Sequence, residues 1–121
     1  MKTLTADDLS PLRGKMVYIA GPYRADNGRA VIENVRLAES VAMVLVKAGV
    51  HFHCPHLNTG FMCGLAPEEF FLDMDLDMLR RCDAILMIGD WRNSAGARAE
   101  LDVAAGLSLG QYELEGGPMW T

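Results

Sequence analysis

The chain has few cysteines, no long apolar run and no concentration of positive charge, and each shortage removes a class of protein. Cys54, Cys63 and Cys82 are odd in number and form no CxxC pair, so reduced thiols in a cytoplasmic setting are expected rather than a disulfide framework. Apolar stretches are broken by polar residues well before the 18 or so in a row that a membrane span needs. The opening "MKTLTADDLSPLRGK" has no apolar centre, so it does not read as a secretory leader. Eleven Lys and Arg against 16 Asp and Glu leave a net charge of −5 without a Lys/Arg-rich cluster. A nucleic-acid polymer is therefore not the expected partner, whereas a small nucleotide remains open. Internal repeats and low-complexity tracts are also missing.

What remains is an ordinary globular balance, 50% hydrophobic and 22% charged over 121 residues. That length makes one domain, able to bury roughly two-thirds of its unfolded surface. Residues 1–14 read as a polar lead-in, and the organised part spans 15–110. "MVYIAG" (16–21) is a β-rich run ended by Gly-Pro. Residues 29–48 carry apolar side chains at 32, 35, 38, 41, 42 and 45, a helical period, with Lys47 and Gly49 as stop signals. "VHFHCP" (50–55) predicts a second strand stopped by Pro55, and "HLNTGFMCGLA" a loop. Pro67, with Glu68 and Glu69 after it, opens a helix that runs to Cys82. "AILMIG" (84–89) lacks alternation, as a strand buried on both faces does. A last helix covers about 95–109, ended by Gly110, and the tail 111–121 supplies either one more short strand or a segment reaching a neighbouring subunit.

Strand and helix in alternation predict a doubly wound, flavodoxin/Rossmann-like parallel α/β sheet of about four strands with flanking helices. Ligands in such sheets bind beyond the carboxyl ends of the strands. Here those ends are "AGPYR", "HCPHLN" and "GDWRNS".

Two carboxylates stand where a core residue belongs. Stepping about 100° per residue along helix 68–82 places Phe71, Leu72, Met78, Leu79 and Cys82 within about 60° of Asp75, while Asp73 and Asp77 fall on the far, solvated side. The same construction on the last helix places Gly96, Ala97, Val103, Ala104 and Leu107 around Glu100. An unpartnered carboxylate there costs several kcal/mol unless hydrogen-bonded or neutralised, and its pKa is pushed up. One such acid reads as a structural ion pair; two, on helices flanking one strand, point to a functional site. Ser94 is a good N-cap, and its hydroxyl together with the free N–H groups at Gly96 and Ala97 also suits a phosphate.

"YIAGPYR", "DLDMLRRCDAIL" and "SAGARAE", in that order and spacing, resemble the nucleoside 2-deoxyribosyltransferase superfamily, which includes 2'-deoxynucleoside 5'-monophosphate N-glycosidases. The resemblance covers roughly residues 16–110. It implies that Glu100 is the nucleophile at the anomeric carbon, that Tyr18 orients it, and that Asp75 contacts the base and helps it leave. It further implies a 5'-phosphate bound by Ser94 with Arg24 in the first loop, since the free-nucleoside transferases usually carry aspartate where this chain has Ser94. Gly21, Tyr23 and Gly96 complete the expected substrate contacts, with His56 and Asn58 at the end of the second strand. The implied activity is base–sugar cleavage, to water or to a second base, without metal or cofactor, on a small nucleotide or nucleoside, in a homo-oligomer. A non-catalytic nucleotide-binding module of the same fold is the alternative from another class. "HFHCPH" tempts a zinc reading, but its spacing fits no common zinc pattern, and a pocket-lining role for His53, His56 or Asn58 is the better expectation.

Overall fold

The structure, a computed structural model, describes residues 1–116. Strands β1 (Lys2–Leu4), β2 (Met16–Ala20), β3 (His51–His53), β4 (Ala84–Met87) and β5 (Gly110–Leu114) form one sheet, with helices α1 (Gly28–Lys47), α2 (Pro55–Thr59), α3 (Glu68–Arg80) and α4 (Ala95–Gly106). The order is β1-β5-β4-β2-β3 and every pairing is parallel. The chain leaves β2 through α1 to β3 on one side, then returns through α3 to β4 on the other side of β2. Neighbouring β2 and β4 thus send their loops apart, which opens a crevice above their carboxyl ends.

The strand pattern explains the two layers. Val17 and Ile19 point into a core shared with Ala38, Val41 and Leu45 of α1 and with Leu86 of β4. Tyr18 and Ala20 point the other way, into a second core with Leu79 of α3, Ala97 and Ala104 of α4, and Ile85 and Met87. All four residues of β4 are buried, which is why its sequence shows no alternation. Helix α1 starts where the Asn27 side chain accepts from the Ala30 N–H at 2.9 Å, and it ends before Gly49, whose φ of +74° suits glycine.

Four expectations need correcting. The stretch read as a polar lead-in supplies β1, an edge strand paired with β5, and Leu4, Leu9 and Leu12 sit in the α1-side core. With only one of β1's three residues buried, no period of two is visible. Pro55, read only as a stop, also starts the short helix α2, because its fixed φ fits a first helical turn. The last helix stops at Gly106 rather than near 109; Ser108 takes a positive φ of 59° and turns the chain into β5. Gly110 therefore begins a strand instead of ending a helix, and a Cβ there would lie 2.9 Å from the Tyr112 ring. Among the described residues the sheet thus has five strands rather than about four, the fifth drawn from the tail. Residues 117–121 of that tail lie outside the described residues.

Leu12 is fully buried, so Leu12→Ala is expected to lower unfolding free energy by about 2–4 kcal/mol. Urea denaturation measures it, and a loosely attached arm would give no shift.

Candidate active site

The site is built where the second core meets the crevice. Ser94 caps α4, accepting from the Ala97 N–H at 3.2 Å. That fixed start places Glu100 one and a half turns on, facing β2. Tyr18 is completely buried on the same face, and its hydroxyl donates a short hydrogen bond to Glu100 Oε2. Asp75 enters from α3, half-buried, and its Oδ1 is shielded from solvent with no hydrogen-bond partner.

Electrostatics distinguish the three groups. Burial pushes Glu100 up to about 7; the Tyr18 hydrogen bond pulls it partly back, and the nearby Asp75 charge raises it again. Burial likewise raises Asp75 to about 6. Burial, then the Glu100 charge, drive the Tyr18 phenol far above its ordinary range, so Tyr18 remains the donor and Glu100 the acceptor. The Asp75 charge thus bears on the titration of Glu100.

A fourth polar group belongs here. His53 is the register partner of Tyr18 on the adjacent strand, so both side chains leave the same face. Their ring centroids lie 5.8 Å apart, and His53 Nε2 is buried with no hydrogen-bond partner. Burial holds this imidazole below its usual pKa and therefore neutral near pH 7. The signal is the alternation of "HFH" opposite "MVY", legible once the strand register is known.

The remaining expected residues fall into two groups. Ser94 is half-buried at the start of α4, and Gly96 beside it is exposed, with nothing within 4 Å of where a Cβ would be. That end of the helix is open to a ligand. Of the others, Arg24, Tyr23 and His56 have partners elsewhere in the fold. Arg24 pairs with Glu68 at 2.5 Å on an exposed surface. Tyr23 donates through its hydroxyl to the Gly60 carbonyl. His56 is buried, its Nε2 2.9 Å from the Pro22 carbonyl oxygen. Together they tie the loop after β2 to α2 and α3. Gly21 is required by packing, since a Cβ would fall 2.6 Å from Ile88 Cγ1. Asn58 is exposed on α2. Between the tethers at Gly60 and Glu68, Phe61 and Leu65 are each 79% exposed. Among the described residues no group of three or more His, Cys, Asp or Glu side chains is disposed to hold a metal ion. Nor is any helix there long and apolar enough to cross a membrane.

A family model described as "Domain of unknown function (DUF4406)" matches residues 15–110. The chain belongs to the DUF4406 family. No curated protein matches it significantly. Among solved structures, this DUF4406 chain is similar to a 2-deoxyribosyltransferase from the psychrotolerant bacterium Bacillus psychrosaccharolyticus, at a TM-score of 0.64 and 20% identity over 81% of this chain and 70% of that one. It is also similar to a 2-desoxiribosyltransferase from Leishmania mexicana, at a TM-score of 0.52 and 27% identity over 82% of this chain and 63% of that one. The DUF4406 chain thus has the 2-deoxyribosyltransferase fold, and it spans about two-thirds of the length of those two structures.

The raised Glu100 pKa has a consequence for stability. Its folded value of about 7 exceeds the ordinary 4.5, so the folded state holds the proton more tightly than the unfolded one. The associated stability is fully present below pH 4.5 and is lost as pH rises through about 7. Relative to Glu100→Gln, the wild type should lose about 3 kcal/mol between pH 4.5 and 8. Urea midpoints across that range check the difference.

Proposed function

We propose that this DUF4406 protein is an N-glycosidase that cleaves the base–sugar bond of a (deoxy)nucleoside 5'-monophosphate through Glu100. The carrying observation is the buried Tyr18–Glu100 hydrogen bond with the unpartnered Asp75 oxygen beside it, set above the crevice of a 2-deoxyribosyltransferase fold. Glycosidic carbons pass through oxocarbenium-like states that a carboxylate stabilises and then traps. In the first step a Glu100 carboxylate oxygen bonds to the anomeric carbon as the carbon–nitrogen bond breaks, its electron pair leaving with the base. Asp75, protonated below about pH 6, donates a proton to that base. Water then attacks the anomeric carbon, passes a proton to the Asp75 carboxylate and releases Glu100.

Tyr18 holds Glu100 in one rotamer and, by donating, keeps part of the population ionised. Ser94 Oγ accepts the Ala97 N–H and retains its own O–H, which donates to a 5'-phosphate lying on the start of α4. Arg24 reaches that phosphate only by leaving Glu68, an exposed pair worth about 1 kcal/mol or less. Asp75 Oδ1 and His53 Nε2 are the polar atoms left for the base.

A second reading, base transfer on free nucleosides, is favoured by the likeness to two 2-deoxyribosyltransferase structures. The two readings differ in the acceptor, water or a second base, and in whether the substrate carries a 5'-phosphate. The test is chromatography of free base released from a panel of ribo- and deoxynucleoside 5'-monophosphates and nucleosides, with and without a second base. Release from monophosphates, reduced at least about a thousandfold by Glu100→Gln, is the expected outcome. A monophosphate that binds without being cleaved would replace the enzyme with a binding module.

The active form carries one proton on the acid pair, with Glu100 ionised and Asp75 protonated. Activity falls in acid as Glu100 is protonated and in alkali as Asp75 loses its proton. A bell-shaped kcat/KM with its maximum between pH 6 and 7 is therefore expected, measured from initial rates across pH 4.5–9.

A further inference from the structure

An open apolar surface away from the site lies on α1 and the adjoining β3 edge. A groove of about 330 Å³ runs between Ala42, Met43 and Val46 of α1, Phe52 of β3 and Leu57 of α2. A second, of about 520 Å³, continues from Val46 and Phe52 to Met16 and His51. Val46 is 64% exposed, Met43 53% and Leu57 44%. Contiguous apolar surface of this kind on a folded domain marks a contact for another molecule. The outer edge of β3 carries no partner strand among the described residues.

Two charges identify the occupant. Glu39 and Lys47 line the first groove, both exposed, and neither forms an ion pair among the described residues. Each is four residues from Met43, one on either side, so the three lie on one helical face over about 12 Å. A second copy of α1 laid antiparallel across the first, with Met43 on a two-fold axis, brings each Glu39 to the other copy's Lys47. The apolar residues between them then meet their own images. Only an isologous contact uses one patch in this self-complementary way.

We propose that the protein forms a two-fold dimer through the α1 face, with Met43 packed against Met43 at the axis and a Glu39–Lys47 pair at each end. Phe52 and Leu57 widen the buried strip on the β3 side. The contact is independent of whether the site is catalytic.

Sedimentation velocity at about 10–100 µM tests it, with circular dichroism to verify folding of each variant. Wild type is expected as a dimer. Met43→Glu, which sets two carboxylates face to face on the axis, is expected to give a folded monomer. Glu39→Lys or Lys47→Glu alone opposes like charges and should weaken the dimer at least threefold, whereas the double exchange restores opposite charges and should recover it. A wild-type monomer throughout that range overturns the proposal. So does a dimer indifferent to Met43→Glu, or single-exchange defects that the double exchange fails to repair.

Discussion

A carboxylate in the apolar stripe of a packed helix has to find a donor, and here that donor is a tyrosine on the central strand. Tyr18 is fully buried and bonded to Glu100, and much of the local architecture follows from that requirement. The donor must come from a strand whose alternate residues face α4, which fixes the register of β2. The acceptor must sit within two turns of the helix start, near the strand's carboxyl end, which the Ser94 cap secures. Small side chains at Ala97 and Ala104 let α4 lie close on the sheet, within reach of the phenol. A larger residue at either position would lift the helix and lengthen the bond.

The same pocket leaves two polar atoms without protein partners, Asp75 Oδ1 and His53 Nε2. Buried polar atoms are nearly always satisfied, and an unsatisfied one costs on the order of 1–3 kcal/mol. A folded chain tolerates that cost where a ligand or water supplies the missing bond. The two atoms flank Tyr18 from different elements, α3 and β3, so whatever satisfies both must span the crevice. Three elements that converge only in the folded state thus bring an acid pair and two polar atoms without partners around one phenol.

Legibility in the sequence tracked burial on two faces. The apolar runs at 16–21 and 84–89, and the helical period of 29–48, were readable because each is set by contact with the core over its whole length. Asp75 and Glu100 were readable for the opposite reason, as charges interrupting an otherwise consistent stripe. The edge strand β1 was not, since a single inward residue, Leu4, gives no period. Helix α2 is one turn long and shares its Pro55 with the end of a strand. The engagement of Arg24, Tyr23 and His56 was also hidden, because loop-to-loop bonds depend on which loops the topology brings together rather than on local composition. His53 falls between these cases. Its alternation with Phe52 was visible, but its proximity to Tyr18 depends on the pairing of β2 with β3.

That pairing also links the site to the proposed dimer. Strand β3 is three residues long and lies at the sheet edge, the least constrained place in a parallel sheet. Its central residue, Phe52, lines the apolar groove beside α1, whereas the next, His53, leaves the opposite face beside Tyr18. Successive residues of a strand face opposite sides, so fixing Phe52 against a second copy also fixes the rotation of the strand that aims His53. An edge strand held only by β2 would let that imidazole wander from the ring it flanks. In the proposed two-fold arrangement each copy would steady the other's β3 through Phe52, and the packing of the apolar face outside each protomer would then help to hold the polar centre inside it.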